Sequence, residues 1–294
     1  MASLRQIRSK IKSVKGTRRI MSAMKLISAV KLRRAQELLM SYRPYSEAFL
    51  EITKSLARKC DREAHPLLRR PEEAKNLHLV FLTSDRGLCG SFNSNLIRKL
   101  ETYIVTEGKK YEHIKFTFLG RRGLDHFSKG RFPIAASFTG VTERNYAEIA
   151  ESVASELVTE YVKGKTDEII LVYNFFRSAL TQVMTYEKIL PIESDEEAAE
   201  DAVEIDYLYE PSKKAILKEV LSTYVRVRVE RAIKESLTSE HASRMTAMEN
   251  ATSNADDVIK KLTLLANKTR QAMITTELMD IVNGTEALRK GGAD

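Results

Sequence analysis

From Ser212 to Asn283 the chain runs 72 residues without a glycine or a proline. Both residues break helices, so nothing in this stretch interrupts one. As a single helix it would span roughly 108 Å at about 1.5 Å per residue. The other end is similar, because Thr17–Cys60 contains Pro44 as its one breaker. Two long helices therefore flank a middle that looks different. Residues 76–211 hold eight of the 12 glycines. The sequence is 294 residues long and 43% hydrophobic, ample for a core. It contains no run of about 18 apolar residues, the length a membrane helix needs. Two cysteines, Cys60 and Cys89, exclude a disulfide scaffold and fit no zinc spacing.

The long segments carry coiled-coil periodicity. Leu4, Ile7, Ile11 and Val14 are spaced 3, 4, 3, and Leu38, Tyr42, Tyr45, Phe49, Ile52 and Leu56 are spaced 4, 3, 4, 3, 4. Alternating threes and fours place side chains on one stripe and imply a left-handed supercoil with a partner. Near the C-terminus, Val258, Leu262, Leu265 and Thr269 form a looser stripe, followed by Ile274, Leu278, Ile281, Thr285 and Leu288. Both helices join the same middle segment, so they pair as an antiparallel coil. The difference in their lengths leaves the C-terminal helix about 25 Å longer. Between the two N-terminal runs, a stripe continued through Ile20, Met24 and Ile27 reaches Lys31 and Arg34, and the apolar seam fails.

The middle alternates. Strand patterns at Asn76–Thr83, Ile114–Leu119, Ile134–Thr139, Glu168–Phe175 and Thr181–Ile189 are interleaved with helical patterns at residues 96–104 and 149–161. That alternation predicts a mainly parallel, Rossmann-like sheet covered by helices. The expected organisation is a coiled-coil helix and linker over 1–75, an α/β domain over 76–211 and a second coiled-coil helix over 212–294. Residues 193–210 hold nine acids and no base, which predicts an exposed loop with a short strand near Tyr207–Tyr209.

Candidate chemistry is sparse. Ser84–Ser91 follows the first strand and opens a helix, where α/β proteins often bind phosphate. It matches neither G-x-G-x-x-G nor G-x-x-x-x-G-K-[ST], so a tight strand-to-helix turn is the simpler reading. Cys89 beside Arg86 has no histidine nearby in sequence and reads as a small buried apolar group. The five histidines are scattered, and no pair has metal-ligand spacing. Asp195, Glu196 and Glu197 read as part of the solvated acidic loop rather than as a cation site.

Charge is concentrated at one end. Residues 1–36 contain eleven Lys or Arg and no acid, and residues 1–59 carry a net +12 of the chain's overall +8. Three readings fit: a nucleic-acid arm, an organelle presequence, or a helix face that meets an acidic protein. The segment has no aromatic residue and keeps helical order, which weakens the first. Its pattern continues past residue 34 without a cleavage boundary, which weakens the second.

Three segments carry a family resemblance: Ile20–Gln36 (IMSAMKLISAVKLRRAQ), Thr83–Asn95 (TSDRGLCGSFNSN) and Ser239–Val282, with SEHASRMTAMENATSNA and LANKTRQAMITTELMDIV. Along essentially its whole length the sequence resembles the gamma subunits of F-type ATP synthases. The resemblance implies a non-catalytic central shaft, a coiled coil inside a ring of three alpha and three beta subunits. The α/β domain would be a foot against the epsilon subunit and the membrane c ring. Ion flow would turn the shaft and drive the beta subunits through their conformations. No cofactor, metal or nucleic acid is implied, and membrane association would come only through the complex, at the cytoplasmic face of a bacterial plasma membrane.

The resemblance also assigns residues. Met24 and Lys25 would face the acidic loop of beta. Arg270 and Gln271, with Thr275 one turn on, would hydrogen-bond a beta loop, and Arg244 would belong to the same coupling region. Tyr207 and Glu210 would lie beside the c ring and epsilon. Gly16 and Ser91 depart from the usual Asn and Gly, and the regulatory cysteine insertion of chloroplast homologues is missing. The basic segment is then one face of a shaft. Filter binding of nucleic acid should accordingly be weak at physiological salt. Tight binding with a steep salt slope would restore the nucleic-acid reading.

Overall fold

A computed structural model describes residues 3–60, 63, 65–69, 71–130, 132–192 and 213–291, without the side chains of 213, 214 and 286–291. The elements are α1 (Leu4–Arg58), β1 (Asn76–Leu82), α2 (Phe92–Thr106), β2 (His113–Leu119), α3 (Arg121–Phe127), β3 (Ile134–Phe138), α4 (Tyr146–Val162), β4 (Glu168–Phe176), β5 (Gln182–Leu190) and α5 (Lys213–Gly291). The expected acidic loop at 193–210 lies outside the described residues. Internal contacts divide the chain into two compact units. One is Met1–Ile27 with Ala247–Asp294, and the other is Ser28–Thr246.

In the larger unit the sheet has the order β3-β2-β1-β4-β5. β1 pairs in parallel with β2 and β4, β2 pairs in parallel with β3, and β4 pairs antiparallel with β5. The mainly parallel sheet expected from the alternating pattern is present. Its strands are apolar on both faces because both faces are covered. Leu77, Leu79 and Phe81 of β1 join Leu96 and Leu100 of α2 and Phe127 of α3 in one cluster. Val80 and Leu82 join Val153 and Leu157 of α4, Leu56 of α1, and Leu221 and Val225 of α5 in the other. Gly120, after β2, sits at φ +101, where a Cβ would come within 2.0 Å of the Thr83 carbonyl. Glycine is therefore required where β1 and β2 end side by side.

The stripes differ from the sequence expectation in a consistent way. On α1 the buried positions include Leu32, Ala35, Leu39, Ser46, Thr53 and Leu56, while Tyr45 and Ile52 are 48% and 45% exposed. The heptad stays in phase at Tyr42, Phe49 and Leu56, but its alternate positions are Leu39, Ser46 and Thr53 instead of Leu38, Tyr45 and Ile52. Small residues let the neighbouring elements approach closely. Their hydroxyls donate to their own helix, from Ser46 to the Arg43 carbonyl (2.9 Å) and from Thr53 to the Phe49 carbonyl (2.7 Å). No donor is then left facing the core.

The smaller unit shows the same shift. Ala255 and Ala266 of α5 are buried, whereas Val258 and Leu265 are 41% and 47% exposed. On α1, Leu4, Ile7, Ile11 and Val14 continue by fours and threes to Arg18, Met21 and Lys25, all at least half-buried. The seam therefore does become charged, but at Arg18 and Lys25 rather than at Lys31 and Arg34. Arg18 pairs with Asp256 (2.5 Å) and Lys25 with Glu249 (2.6 Å). Seven residues forward on α1 is seven back on α5, so the pairing is antiparallel and in heptad register. Three heptads toward its start, α1 begins at Leu4, and the same register reaches Arg270 on α5. Residues from Gln271 onward have no α1 residue opposite them among the described residues.

One buried histidine links the core to pH. His78 on β1 is fully buried, with Nε2 2.8 Å from Thr117 Oγ1 and Nδ1 3.1 Å from Glu160. Burial, reinforced by the Lys115 ammonium and opposed by Glu160, pushes its pKa down to about 4. The unfolded chain binds this proton at higher pH than the folded chain does. Stability from neutral His78 is therefore full above about pH 6.5 and is lost as pH falls toward about 4. Thermal melts should drop across that window, by up to about 3 kcal/mol from this residue. His78→Asn should flatten the slope there, and an unchanged slope would assign the acid sensitivity elsewhere.

Candidate functional site

The 3-2-1-4-5 strand order reverses between β1 and β4, and sheets of this kind bind ligands in the crevice beyond the strand ends at that point. Here the crevice is filled by α5. Three residues spaced by four, on one face of the helix, reach into it. Glu235 accepts from the Phe176 N–H (3.0 Å), the Ser239 hydroxyl donates to the Asn174 carbonyl (3.0 Å), and the Ser243 hydroxyl donates to the Cys89 carbonyl (2.8 Å). Arg244 donates to the carbonyls of Arg86 (3.2 Å) and Gly87 (3.4 Å), and Glu240 holds its guanidinium at 2.8 Å. The turn after β1 thus presents carbonyls to an arginine of its own chain, the opposite polarity from a phosphate cradle.

The polar residues of that turn also serve its architecture. Asp85 accepts from the N–H groups of Arg121 (3.0 Å) and Gly140 (2.8 Å), tying the start of α3 to the end of β3. Ser84, fully buried, donates to the Arg86 carbonyl (2.7 Å), and Asn93 Nδ2 donates to Ser84 Oγ (2.7 Å). Leu88 is held at φ +64, a left-handed conformation that costs a non-glycine residue about 1 kcal/mol. Cys89 is 2% exposed, and burial raises its thiol pKa, with Ser84 and Arg244 pulling the other way. This is an unreactive, structural cysteine.

The residues assigned by resemblance fall in several places. Met24 is half-buried, and Lys25 beside it is ion-paired with Glu249 inside the chain. Arg270 and Gln271 are exposed, and the Thr275 hydroxyl donates back to the Gln271 carbonyl (3.0 Å). Along α5 these lie three heptads from Glu249, about 31 Å. Arg244 belongs to the larger unit, engaged with the turn after β1. Tyr207 and Glu210 lie outside the described residues.

A polar network that the sequence reading missed lies beside the crevice. Arg43 of α1 grips Glu235 of α5 with both Nε (3.0 Å) and Nη2 (2.9 Å), and Nη2 also donates to the Phe176 carbonyl (2.8 Å). Nearby, Lys234 sits 4.3 Å from the Tyr42 ring and 3.7 Å from the Tyr146 ring, paired with Glu230 at 3.1 Å. Burial and Glu230 push the Tyr42 hydroxyl well above its usual range. His241 bonds Glu143 at 2.9 Å and pushes that carboxyl down to about 2, against the effect of burial. Arg43 and Glu235 are 192 residues apart in sequence, and no local spacing announces such a pair.

An α/β domain with the 3-2-1-4-5 strand order, its crevice filled by its own helix, and an antiparallel two-helix coil together define the class of the fold. The comparisons agree with that class. The sequence model of the family described as ATP synthase matches residues 3–288. The ATP synthase gamma chain of Anaeromyxobacter sp. (strain Fw109-5) is 43% identical over 98% of this chain and 100% of its own. That of Geobacter metallireducens is 44% identical, with the same coverage. A chain in the cryo-EM structure of the Euglena gracilis mitochondrial ATP synthase OSCP/F1/c-ring shares the fold, with a TM-score of 0.69 at 22% identity, covering 99% of this chain and 96% of that one. One in the central stalk/c-ring structure from Tetrahymena thermophila gives 0.61 at 25% identity, covering 79% and 99%. The chain belongs to the ATP synthase gamma-chain family.

If Arg244 holds the turn after β1, Arg244→Ala should loosen it. Losing hydrogen bonds from a charged donor should raise the rate of Cys89 alkylation by iodoacetamide roughly tenfold. Cys60, at a different site, serves as the internal reference. An unchanged Cys89 rate would remove Arg244 from that role.

Proposed function

We propose that this chain is the central rotor shaft of an F1Fo ATP synthase, a non-catalytic subunit that couples ion-driven rotation of a c ring to conformational cycling of catalytic beta subunits. Membership in the gamma-chain family supports the assembly. The observation that carries the mechanical role is the surface of α5 beyond Arg270. There Met273, Ile274, Leu278, Met279, Ile281 and Val282 are 46–63% exposed on a helix with no α1 residue opposite it. An apolar helix surface of this kind requires an outside partner, and a ring of alpha and beta subunits provides one. A shaft drives such a ring when each face favours one beta conformation by differential contact.

Within this reading, residues 76–211 form the foot, and the helices of 1–75 and 212–294 form the shaft. Met24, Lys25, Arg270, Gln271 and Thr275 meet the ring, and Arg244 contributes to coupling by holding the turn after β1. Arginine suits the ring contacts because its fork pairs with carboxylates and carbonyl-lined loops. Tyr207 and Glu210 meet the epsilon subunit and the c ring. Among the described residues no helix is long and apolar enough to cross a membrane. Association with the cytoplasmic face of the plasma membrane then comes through the complex.

Two measurements test this. The chain should co-purify with alpha and beta subunits. The double variant Arg270→Ala, Gln271→Ala should assemble normally and lose coupled ATP synthesis roughly tenfold, as expected for the loss of charged hydrogen bonds. Full coupling in an assembled complex would remove these residues from the ring contact.

A further inference from the structure

Glu235 is an acidic side chain with no solvent exposure. Its carboxylate accepts from Arg43 Nε (3.0 Å), from Arg43 Nη2 (2.9 Å) and from the Phe176 N–H (3.0 Å), with Arg231 at 4.0 Å. Arg231 also reaches Glu47 on α1 (3.4 Å). Arg43 completes the loop by donating to the Phe176 carbonyl (2.8 Å) and lying 5.0 Å over the Phe175 ring. One network therefore joins α1, α5 and the last residues of β4. Ser239, one turn along α5, adds a bond to the Asn174 carbonyl of the same strand.

Such a network is a poor way to gain stability. Burying an ion pair costs about as much as its attraction returns, and apolar residues of similar volume usually do as well. Its distinctive property is direction. The apolar contacts of the helices with the sheet tolerate small rolls and slides, because neighbouring apolar surfaces are nearly equivalent. A forked guanidinium shared between a carboxylate and a backbone carbonyl has one geometry. Both backbone polar groups of Phe176 are used, its N–H by α5 and its C=O by α1. Rolling either helix about its axis breaks at least one of these bonds and leaves a buried polar group unpaired.

On the reading of this chain as a rotating shaft, we infer that Arg43 and Glu235, through the Phe176 backbone, form the torsional lock that fixes α1 and α5 against the sheet, so that torque applied to the foot turns both helices without slip. These are positioning residues. They touch no nucleotide, and their effect reaches catalysis only through the stiffness of the foot. Arg226 offers a contrast, because it is half-buried, pairs with the exposed Glu151 of α4 (3.4 Å) and with Glu230 of its own helix (3.7 Å), and in neither pair meets strand backbone.

The test uses the assembled complex, with the ring stalled by a non-hydrolysable ATP analogue and a probe rod attached at Lys99→Cys on the exposed face of α2. Thermal fluctuation of the rod angle reports torsional compliance. The double variant Arg43→Met, Glu235→Leu keeps apolar volume and removes the directional bonds. It should widen the mean-square angle about twofold or more while the ATPase rate of the detached ring complex stays unchanged. Arg43→Lys keeps the charge and loses the fork, so it should give a smaller widening. It decides the matter if the double variant does not assemble. Arg226→Met should match the parent. A parental angle distribution in the assembled Arg43 variants, or an equal widening in Arg226→Met, would overturn the lock. Failure of the unsubstituted chain to assemble with alpha and beta would instead overturn the shaft reading on which it rests.

Discussion

The structure rests on the need of a 79-residue helix to cover its apolar stripe. No helix of that length is stabilised by propensity alone in a chain that folds as a unit, because helical stability in proteins comes mostly from a packed face. In the smaller unit α1 supplies the partner, and the register is set by charge. Arg18 with Asp256 and Lys25 with Glu249 place opposite charges one heptad apart on a seam whose other occupants are small or aliphatic. Individually such half-exposed pairs contribute little. Their value lies in direction and register, since a one-residue slip toward Ala255 and Met248 would set Arg18 and Lys25 against apolar neighbours.

The same economy governs the larger unit. A sheet with the 3-2-1-4-5 order has a natural ligand crevice, and this chain fills it with residues from the α5 face that carries Glu235, Ser239 and Ser243. The polar groups left at the strand ends are satisfied by a helix rather than by a phosphate. The turn Thr83–Asn95 and the segment that begins at Ser239, which looked like separate motifs, prove to be two halves of one contact. Ser243 and Arg244 on one side meet the carbonyls of Cys89, Arg86 and Gly87 on the other. Their residue types follow from a shared geometry that needs a hydroxyl, a guanidinium and a strained turn with Leu88 in the left-handed region.

Much of the architecture was legible in the sequence. Continuous apolar runs at Asn76–Leu82 and Glu168–Phe176 announced central strands covered on both faces, and the absence of breakers announced α1 and α5. The seam positions were legible only in part. Tyr42, Phe49, Leu56, Leu262 and Thr269 fall on both the expected and the observed stripes. Tyr45, Ile52, Val258 and Leu265 do not, because adjacent helical stripes can each show apolar residues at threes and fours. Hydrophobicity favoured the larger side chains, whereas close packing selected Ser46, Thr53, Ala255 and Ala266.

By itself the sequence determined the element types, the mainly parallel sheet, the antiparallel pairing of two long helices and the family, because these depend on local periodicity and on motifs contiguous in the chain. Only the tertiary structure decided which stripe is buried, what fills the crevice and which charges meet. Arg43 and Glu235 lie 192 residues apart, and His241 and Glu143 lie 98 apart. Their pairing depends on the distance between folded elements, a quantity that no local pattern of residues encodes.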